Sequence, residues 1–203
     1  MTKQKRSLIL GAVRETAEGL HKAGSLEQEV LQEINRLCEA SPQARWPSSK
    51  ELGDDGEKHT CDLLKARGYD ARLLQVNART YDVEATKGSQ RFLVSVKVAR
   101  DKQHVRLGSR RSVLGLEAGN FVFAYLPKVG SAISTLRDSP HTLLIIPANV
   151  ARTDALSIHD SYWIAKGKDP NIFSVMVKGY GSHHRAMWPK WLKYSEAWQS
   201  LPA

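Results

Sequence analysis

The sequence predicts an α/β fold: helix-period segments and strand-length apolar runs interleave along a single chain of 203 residues. Two further observations support a folded core. The hydrophobic content is 41 %, and about 200 residues are ample to bury a sizeable interior.

From Ser7 to Cys38 apolar residues recur at helical spacing. Ile9, Val13, Ala17 and Leu20 form one stripe, and Leu26, Val30, Ile34 and Leu37 form a second. Gly24 between them suits a left-handed cap, and Ser25 with Gln28 resembles a capping box opening the second helix. Two helices alone bury too little to be stable, so this hairpin (residues 1–40) is expected to pack on the main domain or pair with a second copy as a homodimer. A Pro- and Ser-containing linker (residues 41–53) follows, and residues 54–203 are expected to form the main domain with a C-terminal extension.

In that domain a helix is expected from Asp55 to Arg67, closed by Gly68. Strands are expected at Ala71–Val76, Thr80–Thr86 and Arg91–Arg100, the last two joined as a hairpin through Lys87-Gly88-Ser89-Gln90. Asp101–Arg111 reads as a basic irregular stretch, and Ser112–Ala118 as a short helix or turn. Phe121–Leu126 and Thr142–Ile146 read as buried strands, and Ser161–Ala165 and Phe173–Lys178 as strands of the tail. Trp188, Trp191, Tyr194 and Trp198 are spaced as one stripe of a final helix, expected to pack in the core.

Thirty Lys and Arg against 21 Asp and Glu leave a net charge of +9. Such an excess favours a polyanionic partner, because a basic face releases counterions from phosphates on binding. No apolar run approaches the roughly 18 residues of a membrane span, and the apolar stretch Leu8-Ile9-Leu10 is too short for a signal-peptide core. With only Cys38 and Cys61, a disulfide scaffold is excluded and a cytoplasmic setting is expected. His183-His184 lacks the partners of a zinc site and reads as a polar loop.

Residues two apart on a strand share a face. Phe92, Val94, Val96 and Val98 then point to the core, while Leu93, Ser95, Lys97 and Ala99 point the other way. On the partner strand Tyr81, Val83 and Ala85 are the apolar set, with Asp82 and Glu84 opposite. Pairing through the Gly88 turn would let Asp82, Glu84, Ser95 and Lys97 line one surface, with Glu57 offered by the preceding helix.

Gly56-Glu57, Tyr81-Asp82-Val83 and Val94-Ser95-Val96-Lys97-Val98, in an α-β-β-β-α-β order from Asp55 to Ile146, resemble the PD-(D/E)XK nuclease superfamily. Phe121–Pro127 and Leu143–Pro147 resemble a branch of small bacterial proteins within it. The resemblance implies a restriction-endonuclease-like core, a mixed sheet flanked by helices. It also implies a Mg²⁺- or Mn²⁺-dependent deoxyribonuclease acting as an endonuclease. In that scheme Asp82 is the metal ligand, Lys97 positions the attacking water, and Glu57 is an outer ligand or orienting base. Carboxylates suit a hard divalent cation, and a nearby ammonium balances developing charge.

One position departs from the pattern: Ser95 stands where an acidic residue or Gln is usual. A hydroxyl is a weaker, neutral ligand, so Glu84 is the candidate to supply the missing acid, although it lies about 7 Å further along its strand. The alternative reading is a catalytically degenerate, nucleic-acid-binding or regulatory protein of the same fold. A third is an interaction factor whose charge only keeps it soluble. The 15–24 segment and Leu37-Cys38 also resemble the leader of antitoxin-type regulators, without their DNA-reading module. Arg100, Lys102, His104, Arg106, Arg110 and Arg111 follow the site strand and are the expected contacts to the nucleic-acid backbone, DNA being the expected partner.

Overall fold

A computed structural model describes residues 3–39, 47–75, 80–100, 104–128, 132–169, 171–177 and 187–202. The chain divides into two compact units, Met1–Trp46 and Pro47–Ala203. Among the described residues no helix is long and apolar enough to cross a membrane.

The first unit is a helical hairpin, α1 (Lys3–Lys22) and α2 (Gln28–Glu39). Gly24 adopts φ +72°, the left-handed turn a side chain would strain. The His21 Nδ1–H donates to the Leu26 carbonyl at 2.7 Å and ties the turn. The second helix starts two residues later than a Ser25 cap requires. Ala12, Val13, Thr16, Leu20, Leu26 and Ile34 line an apolar groove between the two helices.

The second unit opens with α3 (Ser49–Lys65). It starts well before the expected Asp55, because Ser48 and Glu51 form the capping box: the Ser48 hydroxyl accepts the Glu51 amide at 3.1 Å, and Glu51 Oε2 accepts the Ser48 amide at 2.6 Å. Gly68 (φ +82°) ends the segment. The sheet comprises β1 (Asp70–Leu73), β2 (Val83–Lys87), β3 (Gln90–Val98), β5 (Phe121–Pro127) and β6 (His141–Pro147), in the order β1-β2-β3-β5-β6. β3 runs parallel to β5 and the other pairs are antiparallel, so the sheet is mixed. The β2–β3 hairpin turns through Lys87↔Gln90, as the sequence predicts.

Helices cover both faces. Beneath one lie α3 and the core of Val83, Phe92, Val94, Phe123, Tyr125 and Ile145. Thr60 of α3 donates to the Gly56 carbonyl and receives the Tyr125 hydroxyl, each at 2.8 Å, which ties the helix to the central strand. The opposite face carries Val122, Ala124, Leu144 and Ile146, packed with α5 (Ala148–Ile158) and with Trp191 of α6 (Met187–Leu192). β5 is buried along its whole length, which is why its sequence is continuously apolar.

Three expectations fail here. Residues 104–111 of the basic stretch are not irregular: β4 (His104–Gly108) pairs antiparallel with β7 (Phe173–Met176) in a second, two-stranded sheet, and α4 (Arg110–Leu114) follows, while 101–103 lie outside the described residues. Val105 and Leu107 are buried while Arg106 is exposed, an alternation masked in the sequence by its cations. Ser161–Ala165 is not a strand but continues α5 through a π-helical turn (His159–Trp163) and a 3-10 turn (Ile164–Lys166). The aromatic stripe does not ride one helix either, since α6 ends at Leu192. Its continuation bridges the outer edge of β6, with the Ile145 amide donating to the Tyr194 carbonyl at 2.8 Å and the Glu196 amide to Leu143 at 3.0 Å. That covering satisfies backbone groups which an open edge strand would leave exposed. His183-His184 lies outside the described residues.

Candidate active site

Where β2 begins, the chain parts from β3, and Asp82 sits in the opening. Its amide donates to the Val94 carbonyl at 2.9 Å. Its carboxylate turns back to β3: Oδ2 accepts the Val96 amide at 2.6 Å, lies 3.5 Å from the Ser95 hydroxyl and 3.8 Å from Lys97 Nζ. All three contacts meet Oδ2; Oδ1 takes part in none of them. Asp82 and Lys97 are about one-quarter exposed, while Ser95 is buried at 1 %.

Glu57 of α3 lies close enough to feel the charges of Asp82 and Lys97. The approach depends on Gly56, where a Cβ would come within 2.5 Å of Val98 Cγ2 and 3.2 Å of Val96 Cγ1. Without a side chain there, the helix backbone lies against β3 and carries the next residue to the end of that strand. Since the helix starts at Ser49, Glu57 is an interior residue and not a cap. Burial pushes its carboxyl up, the charges of Asp82 and Asp54 push it further, and Lys97 pulls it down. Burial likewise raises the Asp82 carboxyl, against the opposing effects of Lys97, the Val96 amide and the Ser95 hydroxyl.

These raised carboxyls have a consequence for stability. The folded chain holds protons on them more tightly than the unfolded chain does, so their contribution is most favourable at low pH and is lost as pH rises through the folded-state values. Asp82→Asn keeps an oxygen for the Val96 amide and removes the buried charge. Its Tm should exceed the parent's by roughly 2 °C at pH 8, with the difference closing below the carboxylate range. Scanning calorimetry at both pH values checks this. A variant less stable at pH 8 would mean that the carboxylate is a net stabiliser.

Glu84 is not brought into the group. Its Oε1 accepts from Arg72 at 3.1 Å and its Oε2 from Arg91 at 3.0 Å. Burial opposes its charge, but the two guanidiniums outweigh that effect and hold its carboxyl below the usual range. The expectation that Glu84 replaces a missing acid at Ser95 therefore gives way to an Arg-Glu-Arg arrangement.

The basic segment divides. Arg100 donates to the Pro47 carbonyl, and its own carbonyl accepts the Ile133 amide at 2.6 Å, so it fastens the end of β3 to the chain entering α3. One guanidinium nitrogen of Arg100 is thereby engaged in holding the fold. Arg106 projects from β4, Arg110 and Arg111 are exposed at the start of α4, and His104 is half-buried on β4. Lys102 lies outside the described residues. Among the described residues no group of three or more His, Cys, Asp or Glu side chains is placed to hold a metal ion. Tyr81 does not share the face of Val83 and Ala85 as its spacing predicts; its hydroxyl accepts the Glu117 amide at 2.7 Å and anchors the residue next to Asp82. Tyr81 packs on the core opposite to that of Val83, because the alternation of β2 begins only at Val83.

No protein-family model matches this chain, and no curated protein matches it at significant similarity. Among solved structures it is similar to Hjc, a Holliday junction resolvase of the archaeal hyperthermophile Archaeoglobus fulgidus. That chain is 17 % identical, with 48 % of this chain and 73 % of that one covered and a TM-score of 0.36. It is also similar to a bacterial homing endonuclease at 16 % identity, with 75 % of this chain and 89 % of that one covered and a TM-score of 0.43.

Proposed function

We propose that this chain is a metal-dependent nuclease of the PD-(D/E)XK kind that hydrolyses phosphodiester bonds in DNA. The observation that carries the reading is the convergence of Asp82, Ser95 and Lys97, with the Lys97 ammonium 3.8 Å from the Asp82 carboxylate, at the point where β2 and β3 separate. The helix, three strands, helix and strand implied by the resemblance are present in that order as α3, β1–β3, α4 and β5, with β4 intervening before α4.

The donor set fits a hard divalent cation of the Mg²⁺ type, which commonly takes one or two carboxylates and completes its shell with water and substrate phosphate. Asp82 through Oδ1, with Glu57, would hold it; the ion would supply charge neutralisation at the scissile phosphate and a more acidic bound water. Burial, which raises both carboxyls, and the Asp82 charge, which raises Glu57 further, are the penalties a divalent cation relieves.

The remaining work falls to the chain itself. The Val96 amide holds Asp82 in one orientation, so little is reorganised when substrate arrives. Lys97 donates to the attacking water and offsets negative charge as the oxygen–phosphorus bond forms. The products are a phosphate monoester and an alcohol, one water being consumed. Full-length protein incubated with duplex DNA and Mg²⁺ or Mn²⁺ should yield cut strands, and chelation should stop the reaction. Intact DNA under all metal conditions would sink the catalytic reading.

A second reading is favoured by Ser95 alone: its buried hydroxyl faces Asp82 where a third acid would stand. The chain would then bind DNA through the same surface with weak metal affinity and little turnover. Ser95→Glu separates the two. Calorimetry should show Mn²⁺ binding at least tenfold tighter than in the parent, with proton release because the ligating carboxyls must be ionised. Unchanged affinity would place Ser95 outside any metal site.

A further inference from the structure

Arg72 and Arg91 take no part in the site described above, yet they share its sheet face. Register sets Arg72 of β1 opposite Glu84 of β2, and Glu84 opposite Leu93 of β3. Side chains alternate along a strand, so Arg91, Leu93, Ser95 and Lys97 all lie on the side of β3 that carries Glu84 and Arg72. Glu84 is 7 % exposed and spends one oxygen on each guanidinium. The arginine side chains themselves are 73 % and 63 % exposed. A guanidinium has five N–H donors, so each arginine meets Glu84 along one edge and presents others to solvent. Two cations on one buried anion leave a local excess of positive charge. Held in this way, the side chains lose less rotamer entropy on capturing an anion than free surface arginines would.

We propose that Arg72 and Arg91, positioned by Glu84, form a second contact to the phosphate backbone of duplex DNA on the same face as the catalytic group. The inference rests on the nuclease reading and deepens it. Arg91 lies six residues before Lys97 on β3, a separation of about 20 Å at roughly 3.3 Å per residue. Six base-pair steps of about 3.4 Å cover the same length. The chain therefore engages a run of duplex, and a substrate ending at the scissile linkage forfeits the arginine contact.

The test is binding of full-length protein to a duplex two helical turns long, in EDTA, as a function of salt. Arg72→Gln combined with Arg91→Gln should weaken binding about tenfold near 0.1 M salt and make the log–log salt slope shallower by about 1.8, roughly 0.9 per lost phosphate contact. Lys65→Gln combined with Lys168→Gln removes the same charge elsewhere on the exposed surface and should leave the slope within error. Circular dichroism establishes folding. If the double variant fails to fold, Arg91→Gln alone should make the slope shallower by about 0.9. A folded variant with unchanged affinity and slope overturns this proposal and leaves the catalytic group untouched, with Glu84 merely stapling the ribbon. A parent protein that binds no duplex at any salt overturns both.

Discussion

Lys97→Ala is expected to lower the rate of DNA cleavage by about 10²- to 10³-fold while leaving duplex binding within about threefold. The ammonium lies 3.8 Å from Asp82 and is about one-quarter exposed, so it faces the space a phosphate would enter without being locked in the core. Stabilisation aimed at charge that develops only in the transition state contributes about 3–4 kcal/mol when a single donor is removed, which corresponds to such a factor. An effect on rate with little effect on binding is the mark of that kind of interaction. Asp82→Ala should be as damaging and should also abolish the response to Mn²⁺. Single-turnover cleavage with the two variants, each confirmed as folded, decides the matter. If both still cut at the parental rate, the reacting phosphate lies elsewhere.

The largest effect on stability is expected at Trp191. Its ring is completely buried, and its indole N–H donates to Asp154 Oδ2 at 2.7 Å. Asp154 is itself only 2 % exposed, and its second oxygen is paired with Lys190. Trp191→Ala should cost about 3–5 kcal/mol for the lost burial and cavity, with a further cost for a carboxylate oxygen left without its donor. A domain stable by about 5–15 kcal/mol would then lose a large part of its margin. Trp191→Phe separates the contributions, since it keeps most of the apolar contact and removes only the N–H, at about 1–3 kcal/mol. Urea unfolding at constant m-value reads both. Equal, small losses in the two variants would show that α6 docks without help from this residue.

Much of the site was legible because it depends on local rules. A strand has period two, and a short Gly-containing turn sets hairpin register, so placing Ser95 and Lys97 on the side of β3 that carries Glu84 needed no knowledge of the rest of the chain. The Gly56-Glu57 pair was also readable, since both fall inside the predicted helix. α5 left a visible trace too: Ala148, Ala151, Ala155 and Ile158 follow helical spacing and are buried. Three of these are alanines, which give too faint a stripe to stand out against their neighbours.

By itself the sequence determined the α/β class, the order of the main sheet's strands along the chain and the side of the hairpin on which the charged residues fall. Only the tertiary structure decided what each charge is bound to. Glu84 lies two residues after Asp82, yet it answers to Arg72 and Arg91 across two strand pairings, and Arg100 gives one guanidinium nitrogen to the carbonyl of Pro47. The physical reason is range. Side-chain direction along a strand follows from the backbone of a few adjacent residues, whereas a buried charge takes whichever partner the assembled layers bring within hydrogen-bond reach.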